Sequence, residues 1–92
     1  MDERIKVKFI LTSVLRLRFK RNEIELLLAP GATLREAIQT LVSQYAPDAS
    51  EFIFDSAGNL KVRCIVNKGL ANLDDELPDN SEVIILSQVG GG

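Results

Sequence analysis

Thr33-Leu34-Arg35-Glu36-Ala37-Ile38-Gln39-Thr40-Leu41-Val42-Ser43-Gln44-Tyr45 is the most regular stretch of this 92-residue sequence. Leu34, Ala37, Ile38, Leu41, Val42 and Tyr45 recur at steps of three and four, which on a helix of about 3.6 residues per turn makes one continuous apolar stripe. Arg35, Glu36, Gln39, Thr40, Ser43 and Gln44 fall on the opposite side. Thr33 and Glu36 form a capping box, each side chain placed to satisfy an exposed amide of the other residue, so a helix should start at Leu34. Pro30-Gly31 breaks the chain before it, and Pro47 ends it because the residue ahead of a proline avoids helical angles. A helix with a single apolar face needs an apolar surface to lie on.

Its neighbours on both sides supply strands. Ile5, Val7, Phe9 and Leu11 alternate with Lys6, Lys8, Ile10 and Thr12, the period of two of a half-buried strand. A second alternation runs over 23–28, with Ile24, Leu26 and Leu28 on one side, and the two runs are expected to pair as a hairpin. Residues 14–21, Val-Leu-Arg-Leu-Arg-Phe-Lys-Arg, extend either strand or form a long loop; no Gly or Pro decides between them. Beyond the helix, 52–54 is a short apolar patch and 55–59 carries a turn signal. A third strand is expected over 60–67, with Val62, Cys64 and Val66 on one face, closed by Asn67-Lys68-Gly69. Residues 73–81 read as a solvent-facing connection anchored by Leu77. Val83-Ile84-Ile85-Leu86 is then apolar at every position, which suggests a strand covered on both sides or lying centrally in the sheet.

Strand, strand, helix, strand, strand is the order of a two-layer α+β domain. If the first and last strands lie side by side in parallel, the long path between them supplies the crossover that parallel pairing requires. That topology is a β-grasp, a mixed sheet packed on one main helix. The division expected is a domain over 1–87 and a flexible C-terminal glycine tail over 88–92.

Composition narrows the function. With 46% hydrophobic and 26% charged residues, the chain has room for one core. A formal net charge of -2 gives no general attraction to nucleic acid. No apolar run approaches the roughly 18–20 residues that cross a bilayer, and Met1-Asp2-Glu3-Arg4 does not open a secretion signal, so a cytoplasmic chain without membrane partners is expected. The sequence has one cysteine and no histidine. It can form no internal disulfide and no cysteine-based metal cluster, and it lacks the commonest acid/base and metal-ligating side chain, which argues against a self-contained enzyme.

The strand at 6–10, Thr33-Leu34-Arg35-Glu36-Ala37, Ile65-Val66-Asn67, Leu77-Pro78-Asp79-Asn80-Ser81-Glu82-Val83 and the terminal Gly91-Gly92 resemble, in order and spacing, the ubiquitin-like sulfur carriers. The chain is most similar to the MoaD family, the small subunit of molybdopterin synthase. Where that family usually carries a proline-rich stretch ahead of its glycines, this sequence has Ser87-Gln88-Val89 and a third glycine. The resemblance implies a non-enzymatic carrier: Gly92 is adenylated by a ubiquitin-activating-like enzyme that uses ATP and Mg, becomes a thiocarboxylate, and donates sulfur inside a heterotetramer with the catalytic large subunit of molybdopterin synthase. It implies no bound cofactor and no metal. Conjugation of Gly92 to target lysines, tRNA thiolation and thiamine thiazole synthesis are the alternatives, as is a plain interaction module.

The residues bear this reading in different ways. Gly90, Gly91 and Gly92 have no Cβ atoms to clash in a narrow channel, and 89–92 reach at most about 13–14 Å when extended. Gly92 is the candidate carrier residue, with Gly90 and Gly91 threading into a partner. Arg16, Arg18, Leu86 and Val89 are candidates for partner contact. Arg16, Arg18, Lys20 and Arg21 either dock an acidic surface or form a solvated strand face opposite Leu15, Leu17 and Phe19. Ile10, Leu27, Ile65, Ile84 and Leu86 belong to the sheet face away from the helix unless the register slips by one, or unless 52–54 folds over them. Cys64, on an alternating apolar face, is read as a small core residue rather than a reactive thiol. Asp74, Asp75 and Glu76 read as a solvated turn, not a cation site.

Overall fold

The structure is a computed structural model and describes residues 3–86. Val89, Gly90, Gly91 and Gly92, and the boundary expected between 87 and 88, lie outside the described residues. The elements are β1 Ile5–Leu11, α1 Ser13–Phe19, β2 Glu23–Leu28, α2 Leu34–Tyr45, a 3-10 turn Pro47–Ala49, α3 Ser50–Ile53, β3 Arg63–Val66, β4 Gly69–Leu70 and β5 Ser81–Leu86. The strands form one mixed sheet in the order β2-β1-β5-β3-β4. β1 pairs antiparallel with β2, Val7 opposite Leu26 and Phe9 opposite Ile24, as the two alternations require. β1 pairs in parallel with β5, Phe9 opposite Val83 and Leu11 opposite Ile85. This is the β-grasp topology expected from the element order.

The core lies between the sheet and α2. Val7, Phe9, Val83 and Ile85 on the inner face of the sheet are fully buried, as are Leu34, Ala37, Ile38 and Leu41 of α2. Tyr45, at the end of the expected stripe, is instead 38% exposed. Thr33 Oγ1 accepts from Glu36 N–H and a Glu36 carboxylate oxygen accepts from Thr33 N–H, the expected capping box. Two further amides of this first turn are satisfied from a distant segment: Leu34 N–H donates to the Asp75 carbonyl and Arg35 N–H to the Leu73 carbonyl, both at 2.9 Å. Leu77 is the buried anchor of that segment, and its N–H donates to the Ala32 carbonyl.

Several expectations need correction. Residues 14–21 are neither strand nor loop, since Ser13–Phe19 is a helix closed by Lys20 in the left-handed region. Leu15 and Phe19, four apart, are buried as successive turns of one helical face, whereas Leu17, two from each, is 72% exposed. A strand would have buried all three. Residues 52–54 do not cover the open sheet face; they continue from the 3-10 turn through α3, and Phe54 bridges to Leu60. The third strand is regular only over Arg63–Val66, and it turns back into β4 through Asn67 and Lys68. Both have positive φ, the geometry of a tight hairpin. β5 is central as expected, but only its inner face is buried, Ile84 and Leu86 on the outer face being half-buried.

Helix α2 is held chiefly by its stripe and secondarily by its cap. Leu41→Ala should cost about 2–5 kcal/mol in urea unfolding and Thr33→Ala about 1 kcal/mol. The reverse order would mean that capping, not burial, fixes the helix.

Candidate functional site

β5 ends the described chain at Leu86, in the middle of the sheet, and the sequence continues from there into the glycine-bearing segment. What the structure describes of the candidate site is therefore the surroundings of that strand end. The end is pinned by the residue between β1 and α1: Thr12 Oγ1 donates to the Ile85 carbonyl at 2.9 Å. β5 is also pinned at its start. Asn67 N–H donates to the Glu82 carbonyl and Asn67 Oδ1 accepts from Glu82 N–H, both at 2.9 Å. Asp79 Oδ1 accepts from Lys6 N–H at 2.8 Å, which ties the start of β1 to the loop before β5.

The sheet face away from α2 carries the apolar residues expected there. Register aligns Ile10 of β1 with Ile84 of β5, and Ile84 with Ile65 of β3, so that three isoleucines form one row across adjacent strands. All three are half-buried, as is Leu86, which lies opposite Arg63 at the end of β5. Leu27 is on the same face at the edge strand and 61% exposed. Beside the isoleucine row runs a charged one, Glu25, Lys8 and Glu82 opposite one another on β2, β1 and β5. Lys8 Nζ lies 3.7 Å from a Glu23 carboxylate oxygen. An apolar strip flanked by charge is a surface suited to a protein partner, with the strip contributing burial and the charges register.

Arg16 and Arg18 are placed elsewhere, on α1 in the helical layer, and are not on the face that holds Leu86. Arg18 lies with its guanidinium 4.4 Å from the centre of the Phe52 ring, and Arg21 lies 5.4 Å from that of Tyr45. These stackings were missed in the sequence because 14–21 offered a period of two as readily as helical spacing. The pair Leu15 and Phe19, four apart, was the signal that could have found them.

Cys64 is buried in the core and free, beside Ile85 across the β3–β5 ladder. Burial pushes its thiol up from 9.0 to about 11. Of the three adjacent acids, Asp75 spends a carboxylate oxygen on Asn72 N–H, and all three side chains are exposed. Among the described residues no helix is long and apolar enough to cross a membrane.

The sequence matches the ThiS family over residues 14–92. No curated protein matches the chain. Among solved structures, the putative molybdopterin converting factor subunit 1 of Pyrococcus furiosus is 26% identical, with TM-score 0.78 over 92% of this chain and 99% of that one. The Amycolatopsis orientalis BexX/CysO complex contains a chain 25% identical, with TM-score 0.71 over 94% of this chain and 99% of that one. Small archaeal modifier protein 1 of H. volcanii shares the fold most fully of these three, TM-score 0.85 over 92% and 99%, at 18% identity.

The raised thiol of Cys64 has a direct consequence. A thiol at about 11 rather than 9.0 holds roughly a hundredfold less thiolate at pH 8, so alkylation by iodoacetamide should be slower than that of the unfolded chain by about that factor. Because the folded value lies above the unfolded one, the stability this group contributes is complete below about pH 9 and is lost as pH rises toward 11. Fast alkylation of the native protein would show that Cys64 is accessible and available for chemistry.

Proposed function

Because the chain belongs to the ThiS family, ubiquitin-like sulfur carriers and modifiers, we propose that it carries sulfur for molybdopterin synthesis on the carboxyl group of Gly92. The observation that carries this reading is the 26% identity to the P. furiosus putative molybdopterin converting factor subunit over nearly the whole of both chains. The placement of β5 supports it. A central strand, bonded on both sides, leads directly into the segment that bears the reactive group, so a pull on that segment is met by two ladders rather than by an edge.

The chemistry follows from what a carboxylate lacks. As an anion it resists nucleophilic attack, and its oxygen is a poor leaving group. The Gly92 carboxylate attacks the α-phosphorus of ATP in the active site of a ubiquitin-activating-like partner, with Mg neutralising the phosphates, and pyrophosphate departs. A hydrosulfide equivalent then adds to the acyl carbon; the acyl–oxygen bond to AMP breaks and a thiocarboxylate remains. Residues 88–92 form the tail that enters the partner, with Gly90 and Gly91 passing its narrowest part and Val89 at its mouth. Leu86 and the isoleucine row give the partner an apolar seat. The thiocarboxylate is delivered to the large subunit of a molybdopterin-synthase-like heterotetramer, in the cytoplasm, and this chain holds no cofactor of its own. The BexX/CysO complex supports binding of a partner protein as a working mode for this fold.

A chain shortened to end at Gly90 should keep the circular dichroism of the full protein and lose adenylate formation, followed as ATP-dependent pyrophosphate release, together with all sulfur transfer. Undiminished sulfur transfer by the shortened chain would contradict the proposal. Accumulation of lysine-linked conjugates by the full chain, with no free thiocarboxylate, would assign it instead to the modifiers.

A further inference from the structure

The helical layer carries a second concentration of exposed features that the sheet-face seat does not use. The exposed large hydrophobic residues among those described are Leu17, Leu27, Tyr45 and Phe52, and three of the four gather around α1. Arg18 stacks on Phe52 and Arg21 on Tyr45. Leu17, exposed between Arg16 and Arg18, makes no contribution to the core, which Leu15 and Phe19 already serve. Residues 16–21 hold four of the eleven basic residues; the remainder of the chain holds seven basic and thirteen acidic ones. Among the described residues, none of Arg16, Arg18, Lys20 and Arg21 lies within ion-pair distance of a carboxylate. Basic residues in the last turn of a helix do complement its dipole, but that gives no account of an exposed leucine between them.

Position gives this patch a use. β1 passes into α1 through Thr12, the residue whose hydroxyl holds the Ile85 carbonyl at the end of β5. α1 therefore begins at the end of the sheet from which residues 87–92 continue. A partner bound at that end of the sheet, where β5 finishes at Leu86, lies beside the start of α1.

We infer that α1 is a docking element for the adenylating partner, with Leu17 entering an apolar pocket on an acidic protein surface and Arg16 and Arg18 pairing with the carboxylates around it. The inference rests on the sulfur-carrier reading. The Phe52 ring holds the exposed Arg18 guanidinium 4.4 Å from its centre, and a guanidinium held in this way can still pair with a carboxylate through its N–H groups. A protein surface fits better than a nucleic acid. The depression beside Arg18 is also lined by Asp48 and Glu51, a mixed charge that a uniformly anionic phosphate chain cannot match, whereas a protein can set carboxylates against the arginines and basic side chains against the acids.

The test is steady-state adenylation, read as pyrophosphate release, with the purified ubiquitin-activating-like enzyme of the same organism and this full chain as the varied substrate. The double variant R16E/R18E should raise KM for the chain about tenfold or more and leave kcat within about twofold, since charges at a contact rim act on association. Leu17→Ala should raise KM about threefold or more, and R16K/R18K should fall between wild type and the reversal. KM of the wild type should climb with salt, while that of R16E/R18E should not. All these residues are exposed, and an unchanged unfolding midpoint confirms that the variants fold. Unchanged KM in both R16E/R18E and Leu17→Ala would overturn the inference while leaving the carrier reading intact. Failure of the wild type to be adenylated would remove the carrier reading and this inference with it. Binding of a single-stranded RNA oligonucleotide that R16E/R18E abolishes, with adenylation unaffected, would assign the patch to RNA and also overturn it.

Discussion

Parallel pairing of β1 with β5 is the constraint on which the rest of the molecule depends. Two strands that begin and end the described residues cannot be joined by a tight turn when they run the same way, so the path between them must include a crossover over one face of the sheet. That crossover is α2, and the face it covers is the one where Val7, Phe9, Val83 and Ile85 are fully buried. Each of those side chains is worth about 1.5–3 kcal/mol when removed from water, and a slip of β5 by one residue would turn Val83 and Ile85 out of that face. The same pairing puts β5 in the middle of the sheet and sends its end out beside α1.

The long connection before β5 does more than span a gap. Its backbone carbonyls at Leu73 and Asp75 take the amides of Arg35 and Leu34, its Leu77 fills the core below Ala32, and its Asp79 holds the start of β1. One apolar anchor and a few bonds to otherwise unsatisfied groups keep a strongly acidic segment in place without a strand or helix of its own. The first turn of α2 is thus satisfied jointly by its own capping box and by a segment some forty residues away in sequence. Helix and sheet are locked to each other at that point.

How much of this could be read from the sequence varies with the strength of the local pattern. The capping box, the stripe of α2, the two alternations of the hairpin and the central strand β5 were legible because each has a period that only one element satisfies. Residues 14–21 were not, because Leu15, Leu17 and Phe19 fit a strand as well as Leu15 and Phe19 fit a helix, and only the core decides which leucine goes in. β4 was invisible as well: two residues carry no period, and what makes Gly69–Leu70 a strand is the hairpin turn at Asn67 and Lys68. The open-face residues Ile10, Ile65, Ile84 and Leu86 were legible as a set, but their alignment into a row needed the register. Of the candidate site, the glycines were conspicuous in the sequence, whereas the relation of α1 to the end of β5 follows from the parallel register, Leu11 opposite Ile85, and from the bond between Thr12 and Ile85, neither of which a local pattern shows.

On the proposed reading the molecule is a folded body that presents a reactive end, with the open sheet face as the apolar seat for a partner and the central strand β5 leading toward the group that changes. Intact mass spectrometry after incubation with the adenylating enzyme, ATP and a sulfide donor, followed by peptide mapping, addresses that division of labour most directly. Exchange of one oxygen for sulfur, confined to the peptide ending in Gly92 and dependent on ATP, is the expected outcome. An unchanged C-terminal peptide in the presence of active enzyme, or sulfur found on Cys64 instead, would contradict it.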